Sequence, residues 1–569
     1  MTTPSSLTAP DDICWDDLEH DYRALIDRPI ASLAALELLL LERSELDAAA
    51  SELEAELYIA MTSQTDDPGA QAAYAAFIAD VQPRRRELGV ALDRKIVTEP
   101  HSRELPPQRY AVMLRDLQAK VELFRPENLA LERELASLDQ DYNQVLGGML
   151  VEFEGESLTI AALTGKLELR EGERRDAAWR AMQTRWADER ERLDALFDRM
   201  VLLRHRLGQN AGFADFRDFQ HRRLRRFDYH PHDCERFHVG VEQEVVPLLR
   251  RLDAQRAAAL ELESLRPWDL AVDPLGRAPL RPFDSVAQLL ERGSRVFHRM
   301  GPTLGQMFDS LREGDSLDLD SRPHKAPGGY QYQRQRSRRP FIFMNATGIH
   351  RDLVALFHEA GHAFHALLGR DEPLLHYREY PTEFAEFAAM SMELLTLPGL
   401  HEFYAPDDAV RARRHYLEEV VRRLAWTAQI DAFQHWLYTH PGHSPEQRER
   451  QWIALDERFG PTLNWTGLEP LRGRQWHRQI HIFSAPFYYI EYGIAQIGAL
   501  QLWARARRDP EAALSDYTHA LARAACKPLP ELYAAAGVRF AFDREALALV
   551  MADLAAELDQ VAALSHASM

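Results

Sequence analysis

Two histidines one helical turn apart, with a glutamate between them, stand in the segment His358-Glu359-Ala360-Gly361-His362. If the segment is helical, the i, i+4 spacing lets both imidazoles bind a single Zn²⁺. Glu359 is then turned about 100° round the axis from His358, which puts its carboxylate beside a bound ion rather than on it, where a general base must stand. Histidine-glutamate-x-x-histidine on a helix is the pattern of zinc sites that use such a base. With 23 histidines in the chain the spacing can also arise by chance. The elements around it, and a third ligand, therefore have to carry the reading.

Ile349 to Gly369 reads as one helix, with Gly369 as its C-terminal stop. His358, His362 and His365 fall on one stripe of it, and Leu353, Phe357, Ala360, Phe364 and Leu367 form the side that must pack. A catalytic zinc takes three protein ligands and keeps one position open. After a loop, Tyr380-Pro381-Thr382 opens a second helix running to about Leu397, because proline suits a first turn. Glu383, Glu386, Met390 and Glu393 share a face of it. Glu386, one turn in, is the favoured third ligand. Glu383, His365 and Glu393 remain alternatives, with Glu393 better placed to orient a ligand imidazole. A zinc motif ending in a third histidine would need glycine in place of His365 and histidine in place of Leu368.

Elsewhere the chain predicts a predominantly all-α fold. Ile30 to Thr62 and Asp176 to Leu207 carry Leu, Ala and Glu at helical spacing. Thr65 to Gly69 and Pro106-Pro107 separate such helices, and the proline-rich stretch from Arg266 to Pro282 is a long connection. Strand signals are limited to Phe153 to Ile160, a candidate hairpin, and to Gly328–Gln333 followed by Phe341–Asn345 just before the motif. The backbone of Phe341–Asn345, Phe343 and Asn345 included, is placed to pair with an extended peptide as an added strand.

A chain of 569 residues exceeds what one hydrophobic core supports, so two or more lobes are expected. The formal net charge of −20 argues against nucleic acid or anionic membrane as principal partner. Cys14, Cys234 and Cys526 are the only cysteines, too few for a disulfide framework and suited to a reducing compartment. Met1 to Asp12 lacks the basic and apolar regions of a secretory signal, and no stretch approaches the roughly 20 apolar residues of a membrane span. A cytoplasmic location follows as the expectation. Neither a phosphate-cradling glycine loop nor a cysteine or serine nucleophile motif is present.

The sequence resembles the thimet oligopeptidase and oligoendopeptidase F superfamily of zinc metallopeptidases, and the bacterial oligoendopeptidase F branch is the nearer match. The likeness rests on His358-Glu-Ala-Gly-His362-Ala-Phe-His365 and Thr382-Glu-Phe-Ala-Glu386-Phe-Ala-Ala-Met-Ser-Met-Glu393. It is supported by Arg338–Asn345, Asn210–Asp218 and His481–Tyr492, and extends from about residue 200 to 550. The resemblance implies a two-lobed helical clamshell around a deep channel, with a small β-sheet beside the zinc-binding helix. A disordered stretch over residues 1–12, an N-terminal helical lobe over 13–200 and a catalytic region over 201–569 would follow. It implies one Zn²⁺ per chain held by His358, His362 and Glu386, with Glu359 as base and oligopeptides as substrates. His481 and tyrosines of the Tyr488–Tyr492 segment, Tyr489 and Tyr492 foremost, would stabilise an oxyanion; alternatively these tyrosines pack on a helix beginning at Pro486. Trimming from a chain end on the same scaffold, or a non-enzymatic scaffold with a structural zinc, are the competing functions.

Overall fold

The computed structural model describes residues 14–523 and 525–567, so the expected disordered start over residues 1–12 lies outside them. Helix predominates, and the strands form two small sheets. The chain divides into two compact units, each assembled from three segments. The first contains Met1–Leu123, Arg281–Ala412 and Gly498–Phe540, and the second Phe124–Leu280, Arg413–Ile497 and Ala541–Met569.

In the first unit the helix Leu33–Ser63 starts at Ser32, whose hydroxyl accepts from the Ala35 N–H at 3.2 Å. Its Leu36, Leu39 and Leu40 pack with Ile96, Leu105, Met113, Leu117 and Tyr377. The expected turn after it is present: Asp67 accepts from Gly69 and Ala70 and caps the helix that begins at Pro68. Three strands complete this unit near the motif: β3 (Leu317–Asp320), β4 (Tyr330–Arg334) and β5 (Arg339–Ala346). Their order is β3-β5-β4, with β5 parallel to β3 and antiparallel to β4.

That order corrects one expectation. β5 has strand partners on both sides, so Phe341–Asn345 has no edge to lend to a peptide. Phe343 is fully buried, its ring stacked on Tyr330 with centroids 4.8 Å apart and under the Lys325 ammonium at 4.3 Å. Asn345 spends its amide N–H groups on the carbonyls of Ala326 and Gly328, at 2.8 and 3.0 Å. The two outer strands, β3 and β4, each keep one edge without a strand partner among the described residues.

In the second unit the run Asp176–Leu207 is two helices, Gly172–Asp188 and Arg190–Asn210, parted at Glu189. The hairpin appears as β1 (Leu150–Phe153) and β2 (Glu156–Thr159), joined by Glu154-Gly155 at φ 52° and 84°. Positive φ at both positions is what a two-residue hairpin with the right strand twist requires. The buried Arg448 guanidinium pairs with Asp194 at 2.9 Å and Asp198 at 2.7 Å, tying Pro445–Phe459 to Arg190–Asn210.

Two helices of the first unit matter most below: the motif helix, His350–Leu368, and the glutamate helix, Thr382–Leu395. They meet at Gly361. A Cβ there would lie 2.6 Å from the Ala389 Cα and 2.9 Å from the Ala388 carbonyl oxygen, and backbone cannot swing aside as a side chain can. Gly361→Ala is therefore expected to destabilise the protein by about 1–3 kcal/mol, measured as a lower denaturation midpoint. An unchanged midpoint would show that the two helices separate without cost.

Candidate metal centre

β5 hands the chain to the motif helix through a tight turn in which Gly348 takes φ 88°. The Asp352 carboxylate gathers that turn by accepting from the N–H groups of Thr347 (2.6 Å) and Ile349 (3.2 Å) and from the Thr347 hydroxyl (3.2 Å). The helix ends at Gly369, as expected, but not through a left-handed cap, since φ is −89° there. Glycine is needed because a Cβ would stand 1.7 Å from the Tyr380 hydroxyl. Leu353, Phe357, Ala360 and Phe364 are buried as the periodicity predicts, while Leu367 is only half-buried.

The histidine stripe divides. The His358 and His362 rings meet at 87° with centroids 4.8 Å apart, and their side chains keep 22% and 18% exposure. His365 is buried, stacked on Tyr380 with centroids 3.4 Å apart and edge-on to Phe384; burial pulls its pKa down to about 3. It is a packing residue and takes no part in the donor group.

Glu386 comes from the glutamate helix. Its Oε2 lies 3.5 Å from His358 Nε2 and 4.0 Å from His362 Nε2. These three residues have donor atoms within 4.8 Å of one another and could hold a metal ion; His365 and Glu383 fall outside the group. Glu393, two turns further on, places Oε1 2.6 Å from His358 Nδ1. A carboxylate only accepts, so Nδ1 carries a proton, and once the ring is neutral its lone pair is the one on Nε2, facing Glu386 and His362. The residues thus fit a metal: two imidazoles and a carboxylate converge, and one imidazole is fixed in its ligating tautomer.

The electrostatics favour a cation. Burial works to depress His358, yet Glu393, Glu386 and Glu359 hold its pKa up to about 9. His362 is driven well below its ordinary value by burial and by His358, and so stays neutral. Burial raises the Glu359 carboxyl to about 7 against the pull of His358, and the Gln331 backbone on β4 hydrogen-bonds to it. That link between Glu359 and the edge strand was not legible in the sequence, where β4 was visible but its place in the sheet was not.

His481 and the tyrosines belong to the second unit. The His481 ring lies 5.6, 4.9 and 5.9 Å from those of Tyr488, Tyr489 and Tyr492. Gln479 Nε2 is 2.8 Å from His481 Nδ1, and Gln479 Oε1 accepts from Trp426 Nε1 at 3.0 Å. The helix begins at Ile490 rather than Pro486, after a turn in which Phe487 takes φ 67°. Tyr488 and Tyr489 therefore lie in that turn and Tyr492 at the start of the helix, all three half-buried rather than core. The structure brings His358, Glu359, His362, Glu386 and Glu393 together in one unit, and His481, Tyr489 and Tyr492 together in the other.

The family model for peptidase family M3 matches residues 167–551, well over half of the chain, and the chain belongs to that family. Over 183 residues it is 25% identical to the chromosomal oligoendopeptidase F of Lactococcus lactis subsp. cremoris, a match spanning 32% of this chain and 29% of that protein. PZ peptidase A, solved with an inhibitor, is 27% identical, with a TM-score of 0.91 over 96% of this chain and 98% of its own. A protein assigned as an oligoendopeptidase F is also 27% identical, with a TM-score of 0.90 over 96% and 97%. Among the described residues no helix is long and apolar enough to cross a membrane.

The packing role of His365 is open to a direct check. His365→Phe keeps the stack on Tyr380 and removes both nitrogens, so metal content is expected to match that of the unmodified protein by elemental analysis. Loss of metal would return His365 to the ligand set.

Proposed function

We propose that the chain is a zinc-dependent endopeptidase acting on short unfolded peptides. The observation that carries this reading is the convergence of His358 Nε2, His362 Nε2 and Glu386 Oε2 beside Glu359. His358, His362 and Glu386 would hold the ion, and Glu393 positions His358 by fixing its tautomer. A bound Zn²⁺ supplies Lewis-acid polarisation of the scissile carbonyl and lowers the pKa of a water toward 7. Glu359 takes the proton of the attacking water and delivers it to the leaving amine. His481, Tyr489 and Tyr492 donate hydrogen bonds to the oxyanion, a role supported by the family and by their half-exposed cluster.

The peptide would lie along the outer edge of β4, the strand that meets Glu359 at Gln331. Pairing through main-chain groups holds a substrate without reading its side chains, so sequence selectivity should be broad. The preference for short peptides, and for internal bonds, rests on the named relatives, two of which are called oligoendopeptidases. A reducing compartment such as the cytoplasm suits the three unpaired cysteines.

Glu359→Gln is expected to keep the metal and lower turnover by about 10²–10⁴-fold, in a quenched-peptide assay with parallel elemental analysis. Turnover near that of the unmodified enzyme would remove Glu359 from the reaction.

Glu393→Gln leaves the ligands in place but weakens the hold on His358, and should cost about 10–100-fold in zinc affinity by competition with a chelator. Unchanged affinity would make the Glu393 contact incidental. In the same preparations, a digested peptide mixture read by mass spectrometry should show internal cleavages that chelator abolishes; terminal trimming alone would favour an exopeptidase.

A further inference from the structure

A second group of ligand-type side chains lies in the other unit, with no part in the chemistry above. Asp431 and His435 stand one turn apart on helix Pro406–Thr439, and His238 reaches them from helix Pro231–Gly240. His238 Nε2 is 2.8 Å and His435 Nε2 3.3 Å from the same oxygen, Asp431 Oδ2. All three residues are buried, Asp431 completely. The other carboxylate oxygen, Oδ1, and His435 Nδ1 have no hydrogen-bond partner among the described residues.

A carboxylate in such a place is costly unless its charge is met. Burial opposes its ionisation, but His435 and His238 hold Asp431 well below the ordinary carboxylate range. His238 is itself pulled down by burial and stays neutral. The nearby Arg226 is engaged elsewhere, with Glu491 at 2.8 Å and with His221 at 3.3 Å. What remains is an ionised carboxylate flanked by two imidazoles, the donor set that divalent transition metals take.

We propose that His238, Asp431 and His435 form a second, buried metal site for a divalent ion of the zinc type. Their donor atoms lie within 4.8 Å of one another. Neighbouring ligands about a tetrahedral zinc with bonds of about 2.0–2.1 Å stand roughly 3.3 Å apart, close to the His435–Asp431 separation. The shorter His238–Asp431 contact lengthens when the ion takes the place of the hydrogen between them, the neutral His238 then carrying its one proton on Nδ1 and ligating through Nε2. Cys234 and His221 form a further ligand-sized group with His435, but the Arg226 guanidinium beside His221 disfavours a cation on that side. The ion therefore belongs at the carboxylate.

The site has a structural consequence. The His435 ring packs against Phe487 with centroids 5.4 Å apart, and the neighbouring Gln434 accepts from the Phe487 N–H at 2.5 Å. Phe487 directly precedes Tyr488 and Tyr489. An ion that fixes His435 thus stiffens the support of the turn carrying those tyrosines, and it joins the two helices that supply the ligands.

The test uses the full chain with the first site disabled by H358A and H362A. After loading with Zn²⁺ and exhaustive dialysis, elemental analysis should find about one ion per chain in this double variant and about two in the unmodified protein. Adding Asp431→Asn, or separately His238→Gln, should bring the count of the double variant close to zero. Circular dichroism identifies which of these variants remain helical, so that loss of metal is read only in folded protein. No bound zinc in the H358A/H362A protein overturns the proposal, whatever the further variants do. So does zinc that survives both Asp431→Asn and His238→Gln.

Discussion

Where the motif helix crosses the glutamate helix, Gly361 lies directly on the backbone of Ala388 and Ala389, and the reach of the donors in the candidate metal centre follows from that contact. Packed helices ordinarily keep their axes about 8–10 Å apart, the distance depending on the side chains between them. With none at Gly361, carboxylates one turn before and one turn after the crossing can both reach histidines of the motif helix. Glu386 comes within 3.5 Å of His358 Nε2 from one side, while Glu393 takes its Nδ1 from the other. The hydroxyl of Tyr517, donated to the Ala388 carbonyl at 2.8 Å, and that of Tyr533, donated to the Glu383 carbonyl at 2.9 Å, hold the far side of the glutamate helix.

That closeness has an electrostatic cost. Glu383, Glu386 and Glu393 are buried on a helix whose other buried residues include Phe384, Phe387, Met390, Met392 and Leu394. Carboxylates so placed are tolerated when cations or hydrogen-bond donors meet them. The raised pKa of His358, about 9, expresses this demand: the cluster holds a proton more tightly than an ordinary imidazole does. The divalent ion proposed above would meet the same demand more fully than a proton does.

The motif helix was legible almost to the residue, since its periodicity, start and stop are local properties. So was the helix that supplies Glu386. What could not be read were relations between elements. His365 shares the histidine stripe by angle, but Tyr380, fifteen positions on, stacks over its ring and removes it from the site. Gly369 looks like a left-handed cap and is instead a gap for the Tyr380 hydroxyl. β3, four residues of alternating Leu and Asp, carries too little pattern to be recognised, yet by pairing with β5 it covers that strand's second edge and leaves β5 in the middle of the sheet. In each case the face of an element was set by its own sequence and its partner was not.

Two histidines show how a neighbour on Nδ1 decides what the opposite nitrogen can do. At His358 the neighbour is the Glu393 carboxylate, which only accepts, so Nδ1 is protonated and the neutral ring has its lone pair on Nε2. At His481 it is the Gln479 amide. The oxygen of that amide is claimed by the Trp426 indole N–H, which only donates, so the nitrogen end faces His481 and donates to Nδ1. Nε2 of His481 must then carry the proton. Burial keeps this imidazole neutral by drawing its pKa down to about 4, and raises the pKa of the Tyr489 phenol, so both remain neutral donors across the physiological range. One ring is set with its proton on Nδ1 and the other with its proton on Nε2. Both settings come from a single side chain placed behind the ring.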